Sequence, residues 1–217
     1  IGYELAKLFA RDGYQLVLVA SSAARLAQAT RTLQQATAMP IITLVHDLSH
    51  PGAPEEIVTA THQHRLKPTA LVNNAGFGVA GSFTHTDLAQ ELAMIRVNVV
   101  ALTHLTKLFL PDVLESGQGK ILNVASTGAF VPGPLMPVYF ATKAYVLSFS
   151  QALAHDLRAK KVTVTALCPG PTRTNFYRRA GTGPPRLARG HLMTAQAVAL
   201  AGYRGLLRRK TVVIPGW

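Results

Sequence analysis

Short apolar runs alternate with amphipathic stretches along the whole chain. Residues 1–12 repeat apolar positions at Leu5, Leu8 and Phe9, a helical spacing that stops before Gly13. The next run, YQLVLVA (14–20), is apolar and rich in strand formers, the pattern of a strand buried on both faces. A helical pattern follows over 23–38, with Leu26 and Leu33 seven apart. PIITLVHDL (40–48) predicts a second strand, and residues 53–65, entered through Pro51 and Pro54, a second crossover helix. Further on, ALVNNAG (70–76), KILNVAS (120–126), VTVTALCPG (162–170) and TVVIP (211–215) predict strands, separated by helices over about 87–115, 136–160 and 194–208. Alternation of this kind predicts an α/β domain: a doubly wound parallel sheet covered by helices on both faces, binding ligands beyond the carboxyl ends of its strands. One domain over residues 1–217 accounts for the pattern, with no internal repeat or linker.

Polar residues gather at those carboxyl ends. Asp47 closes one strand, Asn73 and Asn74 another, Ser126 a third, and PGPTRT (169–174) a fourth. Singly, each has a local explanation: Asp47 as a helix cap, Asn74 and Ser126 as turn formers, Pro169 and Gly170 as a loop stop. Together they aim polar groups at one edge of the sheet. The segment VYFATKAYVLSF (138–149) adds Tyr139 and Lys143, four positions apart and hence about 400° of helical rotation, on one face of a helix.

Composition narrows the classes. At 48% hydrophobic and 15% charged residues, the chain is far from the polar make-up of disorder. The net charge of +12 raises nucleic acid as a partner, yet the basic residues are scattered and lack interleaved aromatic platforms, so none is expected. A positive field suits a polyphosphate cofactor or an acidic substrate equally. The single cysteine, Cys168, excludes an internal disulfide framework, no metal-ligand spacing accompanies it, and it fits a reducing, cytoplasmic setting. The opening segment is amphipathic and mixed in charge, unlike a secretory leader. The longest uncharged run, 121–142, is broken by three prolines and two glycines, so no membrane span is expected there.

The ordered set NNAG (73–76), Asn98, Ser126, Tyr139-x-x-x-Lys143 and PGPTRT resembles the short-chain dehydrogenase/reductase family over essentially the whole chain. The resemblance implies a Rossmann-type fold and hydride transfer between a nicotinamide cofactor and a carbonyl or secondary alcohol. Tyr139 would be the acid/base and Lys143 the cation that favours its phenolate and holds the nicotinamide ribose. Ser126 would orient the substrate oxygen, and Asn98 would position a water in a proton relay. By the same resemblance, cofactor contacts fall on Gly2, Asp47, Leu48, Asn74, Gly76, Pro169, Gly170, Thr172 and Thr174, besides Tyr139 and Lys143. After the second strand of the full fold the chain reads VASSAARL, without the acid that would bond a ribose 2′-hydroxyl. Ser21, Ser22 and Arg25 could accommodate a 2′-phosphate, so NADP(H) is preferred, with NAD(H) still open. The helices over 87–115 and 136–160 match those that pair in family homodimers and homotetramers.

The family's glycine-rich turn, TGxxxGIG, is represented only by Ile1 and Gly2. The first, central strand is missing with it, and the resemblance places that strand between the 14–20 and 70–73 strands. A gap with two unpaired strand edges is expected, and residues 1–217 are expected to be a fragment of a longer reading frame. An NADP-dependent oxidoreductase is the leading reading; an inactive fragment or dinucleotide-binding protein of the same fold is the alternative. The arginine-containing loop from about 176 to 190 occupies the family's substrate-lid position. Its arginines could meet an anionic substrate or stand as solvated surface charge, while Phe130, Leu135 and Met136 would give the pocket an apolar side.

Overall fold

The computed structural model describes residues 1–35, 37–184 and 192–216. Helix α1 (Gly2–Arg11) buries Leu5, Ala6, Phe9 and Ala10 along one stripe. It ends where Gly13 turns the backbone through φ +82°, a conformation that disfavours any residue with a Cβ. Strand β1 (Val17–Ala20), helix α2 (Ala23–Gln34), strand β2 (Ile42–Val45), helix α3 (Ala53–Gln63) and strand β3 (Ala70–Asn73) follow in order.

Helices α4 (Leu88–Ile95) and α5 (Leu102–Glu115) form one rod, joined by a π-helical turn over Arg96–Ala101. The rod is long and apolar enough to cross a membrane by length and composition. Its residues Met94, Asn98, Leu102, Leu105, Phe109 and Val113 are nevertheless buried against the protein, as in a core helix. Strand β4 (Lys120–Val124) leads through a short 3-10 turn to helix α6 (Pro137–Asp156), which starts with proline at its first position. Strand β5 (Thr163–Leu167), the two-residue strand β6 (Thr172–Arg173), helix α7 (Phe176–Arg179), strand β7 (Met193–Thr194), helix α8 (Ala195–Leu207) and strand β8 (Val212–Val213) complete the described chain. The expected α/β order therefore holds.

Strands β3, β4, β5 and β8 form one parallel sheet, whereas β1 and β2 pair only with each other. Between β1 and β3 lies a slot of about 920 Å³, lined by Val17, Leu18 and Val19 on one side and Leu71, Val72 and Asn73 on the other. The sheet is thus interrupted where a gap between these two strands was expected. Side chains of α1, α2 and α5, including Phe9, Leu33, Leu105 and Phe109, form its walls.

One expectation needs correction. The 14–20 run is not a strand buried on both faces: β1 is nowhere fully buried, and its partner β2 is buried only at Leu44. The slot borders β1, and β2 is a sheet edge. By contrast, β4 and β5 are each buried at every position but the first, because paired strands flank them and α6 and α8 cover them.

A buried polar chain ties this packed half together. Asn73 and Asn123 are register partners on β3 and β4, and the Asn73 amide donates to Asn123 Oδ1 (2.9 Å) and to Thr106 Oγ1 of α5 (3.0 Å). The Asn123 amide donates to Ser150 Oγ of α6 at 2.9 Å. Satisfied polar groups of this kind pin the rotation of α5 and α6 against the sheet, whereas unpaired ones would each carry a desolvation penalty of about 1–3 kcal/mol.

Candidate active site

A crevice of about 460 Å³ opens beyond the carboxyl ends of β3, β4 and β5. Asn74, Gly76 and Phe77 follow β3; Val124 and Ala125 end β4; Pro169, Gly170, Thr172 and Thr174 follow β5; and Tyr139 and Lys143 face it from α6.

Tyr139 and Lys143 are 9% and 5% exposed, so each must satisfy its polar group inside the protein. Lys143 Nζ donates to the backbone carbonyl of Val124 at 2.8 Å and lies 5.8 Å from the centre of the Tyr139 ring. Burial pushes the amine down to about 8. Burial also pushes the Tyr139 phenol up to about 12, opposed by the neighbouring Ser126 hydroxyl. Burial thus shifts both groups toward their uncharged forms: the phenol is held protonated, against the expectation that Lys143 favours the phenolate, while the amine at about 8 is still mainly an ammonium at neutral pH.

Ser126 caps the 3-10 turn after β4, its Oγ accepting from Gly128 N at 3.0 Å. Asn98 stands one layer behind the crevice and is 1% exposed. Its Oδ1 accepts from Phe77 N (3.2 Å), and its amide donates to Phe77 O (3.0 Å) and Thr142 Oγ1 (3.1 Å). Thr142 in turn donates to Tyr139 O at 2.7 Å. Asn98 therefore braces the loop after β3 against the turn of α6 that bears Tyr139.

Other expected residues divide between the crevice and the neighbouring slot. Gly2 and Leu48 line the slot. Gly2 also requires its missing side chain, since a Cβ there would lie 2.4 Å from Asn74 Nδ2. At Gly76 a Cβ would stand 3.0 Å from Asn98 Oδ1 and 3.4 Å from Lys143 Nζ, so only glycine leaves that approach to Lys143 open. Ser21, Ser22, Arg25 and Asp47 line neither cavity. Ser22 caps α2 by accepting from Arg25 N at 3.4 Å. Asp47 Oδ1 accepts from Ser49 N at 2.9 Å, which holds its carboxyl below the usual range.

Sequence reasoning missed Ile1, Tyr3, Asn175, Tyr177 and Arg179 as individual lining residues. The signal for the last two was only a loop noted for its arginines. Residues 185–191 of that loop, including Arg186 and Arg189, lie outside the described residues. Its first part is helix α7, whose Phe176 ring centre is 5.1 Å from that of Tyr139. Met136 and Phe176 close on Gly78, where a Cβ would meet them at 2.7 and 2.9 Å. Met136 packs beside Gly78 but does not line the crevice; Phe130 and Leu135 are half or more exposed and do not line it either, so the apolar side expected from these three residues is supplied by Phe176 instead.

Parallel strands ending in a crevice that gathers a buried tyrosine–lysine pair, glycine turns and threonine hydroxyls form a surface suited to a dinucleotide. The family model described as short chain dehydrogenase matches residues 1–184. The chain belongs to the short-chain dehydrogenase/reductase family. It is 36% identical over 177 residues to sulfoacetaldehyde reductase of Chromohalobacter salexigens, covering 81% of this chain and 69% of that one. Among solved structures it resembles a short-chain dehydrogenase from Sphingobium yanoikuyae in complex with NADPH, with TM-score 0.89, 32% identity and coverage of 99% and 83% of the two chains. It also resembles a short-chain dehydrogenase/reductase from Burkholderia phymatum in complex with NAD, with TM-score 0.88, 26% identity and coverage of 99% and 84%. This family member is an NAD(P)-dependent oxidoreductase with a Rossmann fold acting between alcohols and carbonyl compounds.

Proposed function

We propose that this chain reduces a small-molecule carbonyl compound with NADPH, Tyr139 serving as the proton donor. The observation that carries the reading is that Tyr139 and Lys143, both buried on one face of α6, open onto the crevice bounded by Asn74, Gly76, Thr172 and Thr174. These side chains fit a dinucleotide: Lys143 offers an ammonium to ribose hydroxyls, the threonines offer hydroxyls to carboxamide and phosphate, and Gly76 leaves the space between. Bound nicotinamide supplies the hydride. Tyr139 donates its phenolic proton to the oxygen that becomes the hydroxyl, Ser126 donates a hydrogen bond to that oxygen, and Lys143 stabilises the charge left on the phenol. The substrate carbon thus gains a hydride and its oxygen a proton. Asn98 holds the loop and helix in register, with the proton relay as its further role.

NADP(H) over NAD(H) is favoured by the start of α2. Its first turn has no acidic residue, and Arg25 makes no ion pair among the described residues. A 2′-phosphate would meet the free N–H groups of that turn and the Arg25 guanidinium, with Ser21 and Ser22 beside it. Exposed Leu88, Leu92 and Val100 on the α4–α5 rod, with Tyr145 on α6, favour a homodimer or homotetramer built on these helices. Buried Cys168, raised to about 11 by burial, has no nucleophilic part in the chemistry and suits the reducing cytoplasm.

A second reading is favoured by the slot between β1 and β3: the described chain binds dinucleotide without turnover unless an apolar strand fills the gap. Such a strand, running parallel to both neighbours, would end beside Ile1 and Gly2 at the crevice, as part of a longer reading frame. NADPH titration by fluorescence, combined with ketone and aldehyde reduction followed by NADPH absorbance, separates the two readings. Micromolar binding with turnover supports the reductase; binding without turnover supports the second reading. Absence of NADPH binding overturns both for residues 1–217.

A further inference from the structure

Apart from the cofactor groups, the crevice contains a feature the hydride-transfer chemistry does not use. Its roof is stitched from three separate segments. Ala80 N donates to Ala180 O at 3.0 Å, and Gly81 N donates to Leu135 O at 2.8 Å, so the loop after β3 joins both α7 and the entry to α6. The first residue of α7 is fixed by Phe176 N donating to Thr174 Oγ1 at 3.2 Å, and Ala180 just beyond it is 4% exposed. Helix α7 is therefore held at both ends over the phenol of Tyr139.

On that anchored turn, Phe176 lies against Tyr139, and Arg179, three residues later, shares its face and lines the same crevice. Among the described residues, the side chains lining it include the cations Lys143 and Arg179 and no carboxylate. Lys143 donates to Val124 O and is assigned to the cofactor ribose and the phenol. The Arg179 guanidinium has no hydrogen-bonded or ion-paired partner among the described residues, although it is always charged and offers a planar pair of donors to an oxyanion. The same lining is aromatic at Phe176 and Tyr177, whose rings meet edge to face, with Phe176 against Tyr139.

We infer that the enzyme takes carbonyl substrates bearing an anionic oxyacid group, a keto acid or aldehyde acid, whose charged end is received by Arg179 while its carbonyl reaches Tyr139 past Phe176. This rests on the reductase reading and specifies its substrate class. Arg178 and Arg179 are both exposed, but only Arg179 lines the crevice, so Arg178 supplies an internal control.

The test compares 4-oxopentanoate, 5-oxohexanoate and 6-oxoheptanoate with their methyl esters, which keep the carbonyl and lose the charge. One of the free acids is expected to exceed its ester in kcat/KM by about fivefold, the upper end for a solvent-exposed ion pair, and the advantage shrinks with added salt. Arg179→Gln removes the advantage while leaving ester turnover and the NADPH Kd within about twofold, Arg179→Lys restores part of it, and Arg178→Gln leaves it intact. Equal turnover of acids and esters, or loss of NADPH affinity in Arg179→Gln, overturns the inference and leaves the reductase reading standing. If no carbonyl is turned over, the reductase reading fails instead. Binding of the free acids by saturation-transfer NMR then decides the inference separately: signal lost in Arg179→Gln upholds the anion site, and signal unchanged overturns it.

Discussion

The two halves of the sheet share a vocabulary and differ in what surrounds it. VLVA in β1 and ITLV in β2 are as apolar as KILNV in β4 and TVTAL in β5, yet Val19 and Val45 are 36% and 51% exposed while Ile121, Leu122, Ala166 and Leu167 are fully buried. The packed half has a strand on each side of β4 and β5 and a buried polar chain locking α5 and α6 to them. The other half is a two-stranded ribbon across a slot. Strand propensity describes fitness for a pleated, half-buried surface, and burial is decided by the neighbours. The proposed chemistry is carried on the packed half, where Tyr139 and Lys143 can be held in place.

The largest expected effect follows from that placement. Tyr139→Phe removes the proton donor without altering volume, so carbonyl reduction should fall by at least about 10³-fold with NADPH affinity unchanged. Activity near wild type in Tyr139→Phe would falsify the assignment of the proton donor. Next in size is a paired stability measurement by urea unfolding. Leu167→Ala in β5, whose side chain packs on Gly202 of α8, should cost about 3 kcal/mol. Val19→Ala in β1 should cost under about 1 kcal/mol. Equal losses would show that the ribbon is as tightly packed as the rest.

Much of this organisation is legible in the residues. Periodicity yields the order of helices and strands, because apolar spacing follows the geometry of each element. The Tyr139–Lys143 pair stands out because a phenol and an ammonium one turn apart share a face whatever the tertiary setting. The limits are equally physical. Strand 14–20 shortens to Val17–Ala20, since the ends of an apolar run pair only where a neighbour extends as far. Ser22 and Asp47 could be read as ligand groups or caps, and only coordinates show their oxygens engaged with local N–H groups. Asn98 lies in a π-helical turn that aims its amide at Phe77 and Thr142, a distortion without a composition signature. Tyr177 and Arg179 reach the crevice only because Ala180 is tied to a loop about 100 residues earlier in the chain.

Buried titratable groups of the packed half also give the protein a pH signature. Lys143, at about 8 in the folded chain, lies below its unfolded value of 10.5, so between pH 8 and 9 the unfolded chain binds more protons and stability rises, by about 1 kcal/mol. Cys168 and Tyr139 work oppositely: raised to about 11 and about 12, they keep protons that the unfolded chain begins to lose above their ordinary values of 9 and 10. Stability should therefore peak near pH 9, and Lys143→Met should abolish the rise below the peak. Over the same range reduction slows above about pH 8 in the free enzyme, as the Lys143 ammonium that stabilises the phenolate is lost.

The smallest effect, and the most direct probe of the difference between the halves, is amide hydrogen exchange. In a parallel strand, successive N–H groups point to alternate sides, so a strand paired on one side leaves every second amide without a ladder partner. Strand β1 bonds β2 on one side and borders the slot on the other, and β3 bonds β4 while bordering the same slot. Amides of β4 and β5 are paired within the sheet and buried, and they should exchange only through large-scale opening. Slot-facing amides of β1 and β3 should exchange faster than their β2- and β4-facing neighbours within the same strand, giving alternating fast and slow residues. An apolar peptide of about five residues that filled the slot as a parallel strand would erase this alternation at β1 and β3 together, because one inserted strand bonds both edges. Protection gained at only one edge would mean that the peptide lies on the ribbon's surface and the sheet stays divided.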